Sequence, residues 1–218
     1  MKVLGHLSGG FDSVAACVRL LEDENEVMGV FFDLGQPYLK QEAKAVAYAS
    51  DFFTSKYPNW LGCRTDNVAM ELQRAADGSP SEYIPVRNLV LAAHSANIAL
   101  AEGFNAVAVG SKTVEARPDD DYSFNDCSIE FFEKVTDVVS FCSEGGDSAE
   151  FIMPLIENRV PLTKGKCVQL ILNCGLDLTR LWSCYEAEGQ ACGKCYHCKE
   201  LMIAFDEISY DYSGYFLG

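Results

Sequence analysis

Apolar residues along the chain recur in two alternating rhythms. Strand-length apolar stretches at 2–7, 27–34, 60–64, 104–110 and 151–153 alternate with segments whose apolar positions follow helical spacing. The first helical segment, 12–21, sets Val14, Ala15, Val18 and Leu21 on one face; 40–53, 129–141 and 163–173 are helical too, and 88–102 is apolar almost all round. Unbroken apolar strands separated by helices predict an α/β fold, a parallel sheet of about five strands buried between helices on both faces. Ligands of such a sheet sit at the carboxyl ends of its strands. No repeat or low-complexity segment interrupts the alternation. The longest polar stretch, 111–128, is the kind of loop that carries function in compact domains.

Composition adds limits. A chain of 218 residues, 49% hydrophobic and 22% charged, supports one sizeable core and a small appendage rather than two full domains. No apolar run reaches the roughly 18 residues of a membrane span, and the N-terminus lacks a signal peptide's basic region, apolar stretch and cleavage site, so a cytoplasmic protein without a membrane partner is expected. Ten cysteines then point to small buried side chains and metal ligands rather than disulfides. A net charge of −15 with no cluster of Lys and Arg excludes a duplex-binding surface. The expected partner is a small molecule, with no direct nucleic-acid contact.

Two constellations carry chemistry. At the N-terminus "HLSGGFDSVAACVRLL" joins the first strand to the first helix through Gly9 and Gly10. Backbone N–H groups in such a turn, backed by a helix dipole, hold phosphate without a cationic side chain. The spacing is neither a Walker A loop nor the dinucleotide G-x-G-x-x-G. Ser8-Gly9-Gly10-Phe11-Asp12-Ser13 resembles the SGGxDS pyrophosphate loop of N-type ATP pyrophosphatases, which split ATP into AMP and pyrophosphate. The plainer alternative is a strand-to-helix turn capped by Asp12 or Ser13. Near the C-terminus, Cys184, Cys192, Cys195 and Cys198 follow C-x7-C-x2-C-x2-C, a spacing that closes a tetrahedral zinc site. A disulfide pair or an iron–sulfur cluster could use the same residues. His197, between two of them, reads as an exposed loop histidine.

With both ends read, residues 3–205 resemble the QueC family, the 7-cyano-7-deazaguanine (preQ0) synthases of the queuosine pathway. Between the loop and the cysteines, "FFDLGQ" (31–36) with Glu42 downstream is similar to the family's D-x-G-Q segment, and "IPVRNLVL" (84–91) to its P-x-R-N helix start. "DYSFNDC" (121–127) resembles a shortened D-[YF]-S-G-Y-P-D-C loop, and "PLIENRVPLTKGK" (154–166) the P-L…K segment. The resemblance implies a Rossmann-like fold of the adenine nucleotide alpha hydrolase kind, with an ATP pyrophosphatase domain at 1–178 and a zinc-binding segment and tail at 179–218.

The reaction it implies uses two ATP to turn 7-carboxy-7-deazaguanine and ammonia into the nitrile, through an acyl adenylate and an amide. ATP would be held by Leu7, Ser8, Gly9, Gly10, Phe11, Asp12, Ser13 and Lys112, with Mg²⁺ on the phosphates and Asp12 nearby. Ser8, Asp12, Ser13, Arg87 and Lys164 would act in catalysis, and Arg87, Asp121, Tyr122 and Asp126 would hold the base; a homodimer is implied. The chain departs from the pattern at Pro37 and Tyr38 and in the loop, which lacks Gly-Tyr-Pro and gains Asp119 and Asp120. Two alternatives stay open: an adenylating enzyme that stops at the amide or passes the acyl group to another acceptor, and a degenerate nucleotide-binding module. Cys127 needs no thioester role, because adenylation already activates the carbonyl. Cys17, Cys63, Cys142, Cys167 and Cys174 are read as buried small side chains, His94 as a satisfied core histidine and His6 as part of the first strand. The tail "ISYDYSGYFLG" is read as an aromatic docking segment at a dimer contact.

Overall fold

The structure is a computed structural model, which describes residues 1–71, 84–113, 125–143, 145, 147–186 and 189–217. Its five-stranded parallel sheet consists of β1 (Lys2–His6), β2 (Glu26–Asp33), β3 (Trp60–Asn67), β4 (Ala106–Ala108) and β5 (Glu150–Ile152), in the order β3-β2-β1-β4-β5. Val3 faces Val27 on one side and Ala106 on the other, which makes β1 the central strand. The chain leaves β1 towards β2 on one side and returns to β4 on the other. Such a reversal opens a crevice at the carboxyl ends of the two strands.

Helices cover both faces. On one, α1 (Phe11–Glu22), α2 (Leu39–Lys56), α5 (Lys164–Cys174) and α6 (Tyr196–Glu207) contribute Val14, Val18, Phe53, Ile171, Leu201 and Phe205 to a single buried cluster. On the other, α3 (Arg87–Glu102) and α4 (Ile129–Cys142) pack Ala96, Ala99, Phe132 and Val135 over Leu4, Val30 and Val107. A short antiparallel hairpin, β6 (Ile156–Glu157) and β7 (Val160–Pro161), precedes α5. Ser128 caps α4 by accepting from the Phe131 amide, and Thr163 caps α5 by accepting from that of Lys166; such caps supply partners to otherwise orphaned helix amides. Among the described residues no helix is long and apolar enough to cross a membrane.

The helix at 88–102, apolar almost all round, leaves Leu89 and Val90 exposed. Several expectations need correction. Helix α6 was not anticipated, and its Leu201, Ala204 and Phe205 join the main core. Cys142 is exposed, unlike the buried Cys17, Cys167 and Cys174, and Cys63 is half-buried. The tail docks on its own chain: Tyr210, Tyr212, Tyr215 and Phe216 ring Phe205, and the Leu217 amide donates to Ala191 O at 2.8 Å.

Candidate active site

The loop after β1 lies on the crevice. Gly9 takes φ +78°, a left-handed conformation open to glycine, and a Cβ there would come within 2.7 Å of Ala45 Cβ and 3.0 Å of Glu42 O on α2. Gly10 is the N-cap of α1 and no side chain caps the helix, so the alternative of a turn capped by Asp12 or Ser13 is not what forms. Ser13 ties the loop instead: its Oγ donates to Gly10 O at 2.9 Å and accepts from the Ser8 amide and the Ser8 hydroxyl, each at 3.1 Å. A helix N-terminus without a side-chain acceptor is a ready anion site.

Two lysines from distant parts of the chain meet beside it. Lys112 Nζ, beyond β4, is 3.0 Å from Asp12 Oδ1, and Lys164 Nζ, at the start of α5, is 2.6 Å from Oδ2. Burial pushes the Asp12 carboxyl up, but the Lys164 and Lys112 ammonium groups outweigh it and hold it below the ordinary carboxylate value. Three charges at the mouth of α1 thus leave one net positive charge. Gly110 permits this closeness, since a Cβ there would lie 2.9 Å from the Ser13 amide nitrogen and 3.0 Å from its Cα.

The crevice opens into a cleft of about 400 Å³ lined by Leu7, Ser8, Asp12 and Ser13 at one end and by Arg87, Asn88 and Cys127 among others. Arg87 begins α3, directly after Val86, whose φ of +51° turns the chain into the helix. Among the described residues Arg87 makes no ion pair. Asn88 Nδ2 donates to Asp126 O and Cys127 Sγ, both at 3.2 Å, and Ser111 Oγ donates to Cys127 O. Burial, with Asp126 adding to it, pushes the Cys127 thiol up, against a resting thiolate there. Asp126 does not line the cleft; its Oδ1 lies 3.9 Å from Cys127 Sγ, which does. Asp119, Asp120, Asp121 and Tyr122 lie outside the described residues. Phe11 belongs to the loop by its backbone, while its ring is buried against Phe205.

Other cleft residues had gone unassigned. His6 Nε2 pairs with Ser95 Oγ at 2.7 Å, and since the Ser95 hydroxyl donates to Leu91 O, Nε2 is the donor to it. Burial lowers the His6 pKa to about 4, which keeps the ring neutral. His94, half-exposed, pairs with Asp66 at 2.8 Å. Glu42 lines the cleft and accepts from Gln36 Nε2 at 2.6 Å; burial raises it to about 7 against the opposing pull of Gln36 and Arg87. Tyr38 stacks on Tyr185 at 4.3 Å, with 6° between the rings. Gly110 was detectable as a glycine closing an apolar strand run; the Tyr38–Tyr185 pair, 147 positions apart, had no sequence signal.

The four cysteines converge: Sγ atoms of Cys184, Cys192, Cys195 and Cys198 all lie within 4.8 Å of one another. Amides of Lys194 and Cys195 donate to Cys192 Sγ at 3.3 Å, and that of Cys192 to Cys184 Sγ at 3.4 Å. Amide donors stabilise thiolate charge, so the residues fit a tetrahedral metal ion. His197 is not a loop residue; it lies in the first turn of α6, half-buried, with its ring 4.1 Å from that of Tyr185. The Trp182 amide donates to Gly9 O at 3.1 Å, which ties the cysteine segment to the phosphate loop.

The chain is 30% identical over 217 residues to a 7-cyano-7-deazaguanine synthase of Nitratiruptor sp., covering 95% of this chain and 94% of the relative. It is 30% identical to 7-cyano-7-deazaguanine synthase 1 of Colwellia psychrerythraea over 220 residues, covering 94% of each. Against the Prochlorococcus marinus enzyme of the same name, strain NATL2A, the figure is 28%, over 93% of this chain and 92% of that one. Among solved structures, a U34-tRNA thiolase from Methanococcus maripaludis with its [4Fe-4S] cluster aligns with a TM-score of 0.48 and 13% identity, over 96% of this chain and 66% of that chain. The model of the queuosine biosynthesis protein QueC matches residues 2–209, from β1 through the cleft to the cysteines, and the chain belongs to that family.

Proposed function

We propose that the protein converts 7-carboxy-7-deazaguanine, ammonia and ATP into 7-cyano-7-deazaguanine, releasing AMP and pyrophosphate. The observation that carries this reading is the uncapped N-terminus of α1 beside Lys112, Asp12 and Lys164, opening into a cleft that reaches Arg87. The β- and γ-phosphates lie on the amides of the Gly9–Gly10 turn and the first turn of α1, and the two lysines meet the charge that grows on departing pyrophosphate. Preorganised donors of this kind supply the largest share of such catalysis. Arg87, in no ion pair among the described residues, holds the substrate carboxylate for attack on the α-phosphorus.

A second adenylation, through the amide oxygen, removes the remaining oxygen and leaves the nitrile. Mg²⁺ enters on the phosphates, because both Asp12 oxygens already face ammonium groups. Zinc is the metal assigned to the four cysteines, where it would tie the 179–218 segment together. Asp121, Tyr122 and Asp126 are assigned to the deazaguanine. The enzyme works in the cytoplasm, where its ATP is, and as a homodimer in which a second copy covers Phe141, 91% exposed on α4.

Product analysis by mass spectrometry tests this. The expected outcome is two AMP and one nitrile per substrate consumed. One AMP with accumulating amide would mean a truncated reaction, and neither product would mean a different acceptor.

A further inference from the structure

We infer that Glu42 is the base that converts bound ammonium into the nucleophile of the reaction proposed above, on which this inference rests. Glu42 lies in the first turn of α2, and its backbone carbonyl is pressed against the phosphate loop, only 3.0 Å from where a Cβ on Gly9 would stand. Its side chain lines the same cleft as Ser8, Ser13 and Arg87 and lies within the field of the Arg87 guanidinium. The carbon to be attacked is bonded to the α-phosphate at the loop and carries the base towards Arg87. Glu42 lines the cleft together with Ser8 and Ser13 of the loop and with Arg87.

The carboxylate is also available. Only two carboxylates line the cleft among the described residues, Asp12 and Glu42, and both oxygens of Asp12 face lysines. Of the Glu42 oxygens, Oε2 accepts from Gln36 and Oε1 has no hydrogen-bond partner among the described residues. Tyr38 and Tyr185 line the same cleft, and aromatic faces attract a small cation. Of the other titratable side chains lining the cleft, His6 is neutral and tied to Ser95, and burial pushes the Cys127 thiol up. The charged and titratable groups around Glu42 are therefore Arg87 from α3, Tyr38 before α2 and, behind Tyr38, Tyr185.

Ammonium has no lone pair, and at neutral pH nearly all ammonia is ammonium. In the proposed step one N–H proton passes to Glu42, and the freed lone pair adds to the carbonyl carbon of the acyl adenylate. A second N–H proton leaves to water as the tetrahedral centre collapses; the bond from carbon to the phosphate oxygen breaks, and AMP departs with that electron pair. Glu42 then returns its proton to solvent. A carboxyl raised to about 7 by burial is matched to this task near neutrality.

The test uses the full chain with ATP, 7-carboxy-7-deazaguanine and ammonium chloride, comparing wild type with Glu42→Gln. Exchange of labelled pyrophosphate into ATP, which reads adenylation alone, is retained in the variant. Amide formation at neutral pH falls about 100-fold or more, then climbs with pH in step with free ammonia. Hydroxylamine, a free base at neutral pH, traps the adenylate as hydroxamate at comparable rates in both proteins. Unchanged ammonia use in the variant, or equal losses of amide and hydroxamate, would overturn the role of Glu42 alone. No exchange by the wild-type chain would overturn the substrate reading and this inference with it.

Discussion

Asp12 shows how a few groups set the character of the loop. Its carboxylate, 29% exposed, is the meeting point of Lys112 and Lys164, and removing it leaves two ammonium groups facing each other. Asp12→Ala is therefore expected to abolish pyrophosphate release while the chain stays folded. Ser13→Ala loses the three hydrogen bonds that shape the turn, at a cost of about 1–3 kcal/mol of stability, and is expected to abolish pyrophosphate release too. Steady-state pyrophosphate assays beside urea unfolding check both, and near-normal ATP turnover in either would contradict the phosphate assignment. Gly110 is constrained from the opposite side. A methyl group at Gly110 meets the backbone of Ser13 at 2.9 Å, and backbone cannot rotate away, so Gly110→Ala should cost about 1–3 kcal/mol and weaken ATP binding by displacing the first turn of α1. Isothermal titration with ATP reads the second effect directly.

The cysteine segment and α6 depend on one another. Cys195 is the N-cap of α6 and Cys198 lies in its first turn, while Leu201 and Phe205 further along pack into the main core. Just upstream of Cys184, the Trp182 amide holds Gly9 O, so loss of order among the cysteines is expected to reach the proposed phosphate loop. One zinc per chain is expected by metal analysis of the purified protein. Structural zinc contributes roughly 10–16 kcal/mol of apparent binding energy in small peptides, as much as the whole stability of many domains. Chelation should accordingly raise amide exchange in α6 and the tail and lower ATP turnover together. Turnover unaffected by complete metal removal would mean that the Trp182–Gly9 contact does not carry the coupling.

Across the molecule, two partly buried titratable groups act on stability in opposite directions. His6 has its pKa lowered from 6.5 to about 4, so as pH falls through that window the unfolded chain takes up a proton that the fold refuses, and stability drops. Glu42 has its pKa raised from 4.5 to about 7, so over nearly the same window the fold binds the extra proton and acidification stabilises it. Each effect amounts to at most about 3 kcal/mol, and they largely cancel. His6→Leu should leave a protein that gains stability between pH 7 and 4.5, and Glu42→Gln one that loses it. Urea midpoints across that range for the two variants decide this, and parallel curves would show that neither group is perturbed as its burial implies.

Local order was legible because it depends on neighbours in the chain. The five strand runs, five of the six helices, the glycine turn and the cysteine spacing were all readable from periodicity or short motifs, since strand and helix periods and a metal knuckle are set within about twenty residues. Helix α6 escaped because its apolar positions lie among cysteines and polar residues whose partners, Phe11 and the tail rings, come from elsewhere in the chain. The pairing of Asp12 with Lys112 and Lys164, the closeness of Gly110 to Ser13 and the stack of Tyr38 on Tyr185 join positions roughly 100 to 150 residues apart. The strand order decides the pairs that involve Lys112 and Gly110, by bringing the ends of β1 and β4 together; packing of α5 against α1 and the Trp182–Gly9 hydrogen bond bring in Lys164 and Tyr185. The tail shows the same limit, as its aromatic sequence suits a partner or its own chain equally, and in the structure its rings pack around Phe205 of its own chain. Sequence alone thus determined the strands of the main sheet, five of the six helices and which residue types could hold phosphate and metal. Charge balance, protonation and the cleft arose only in the packed structure, because burial and electrostatic fields are sums over groups that the chain order does not place side by side.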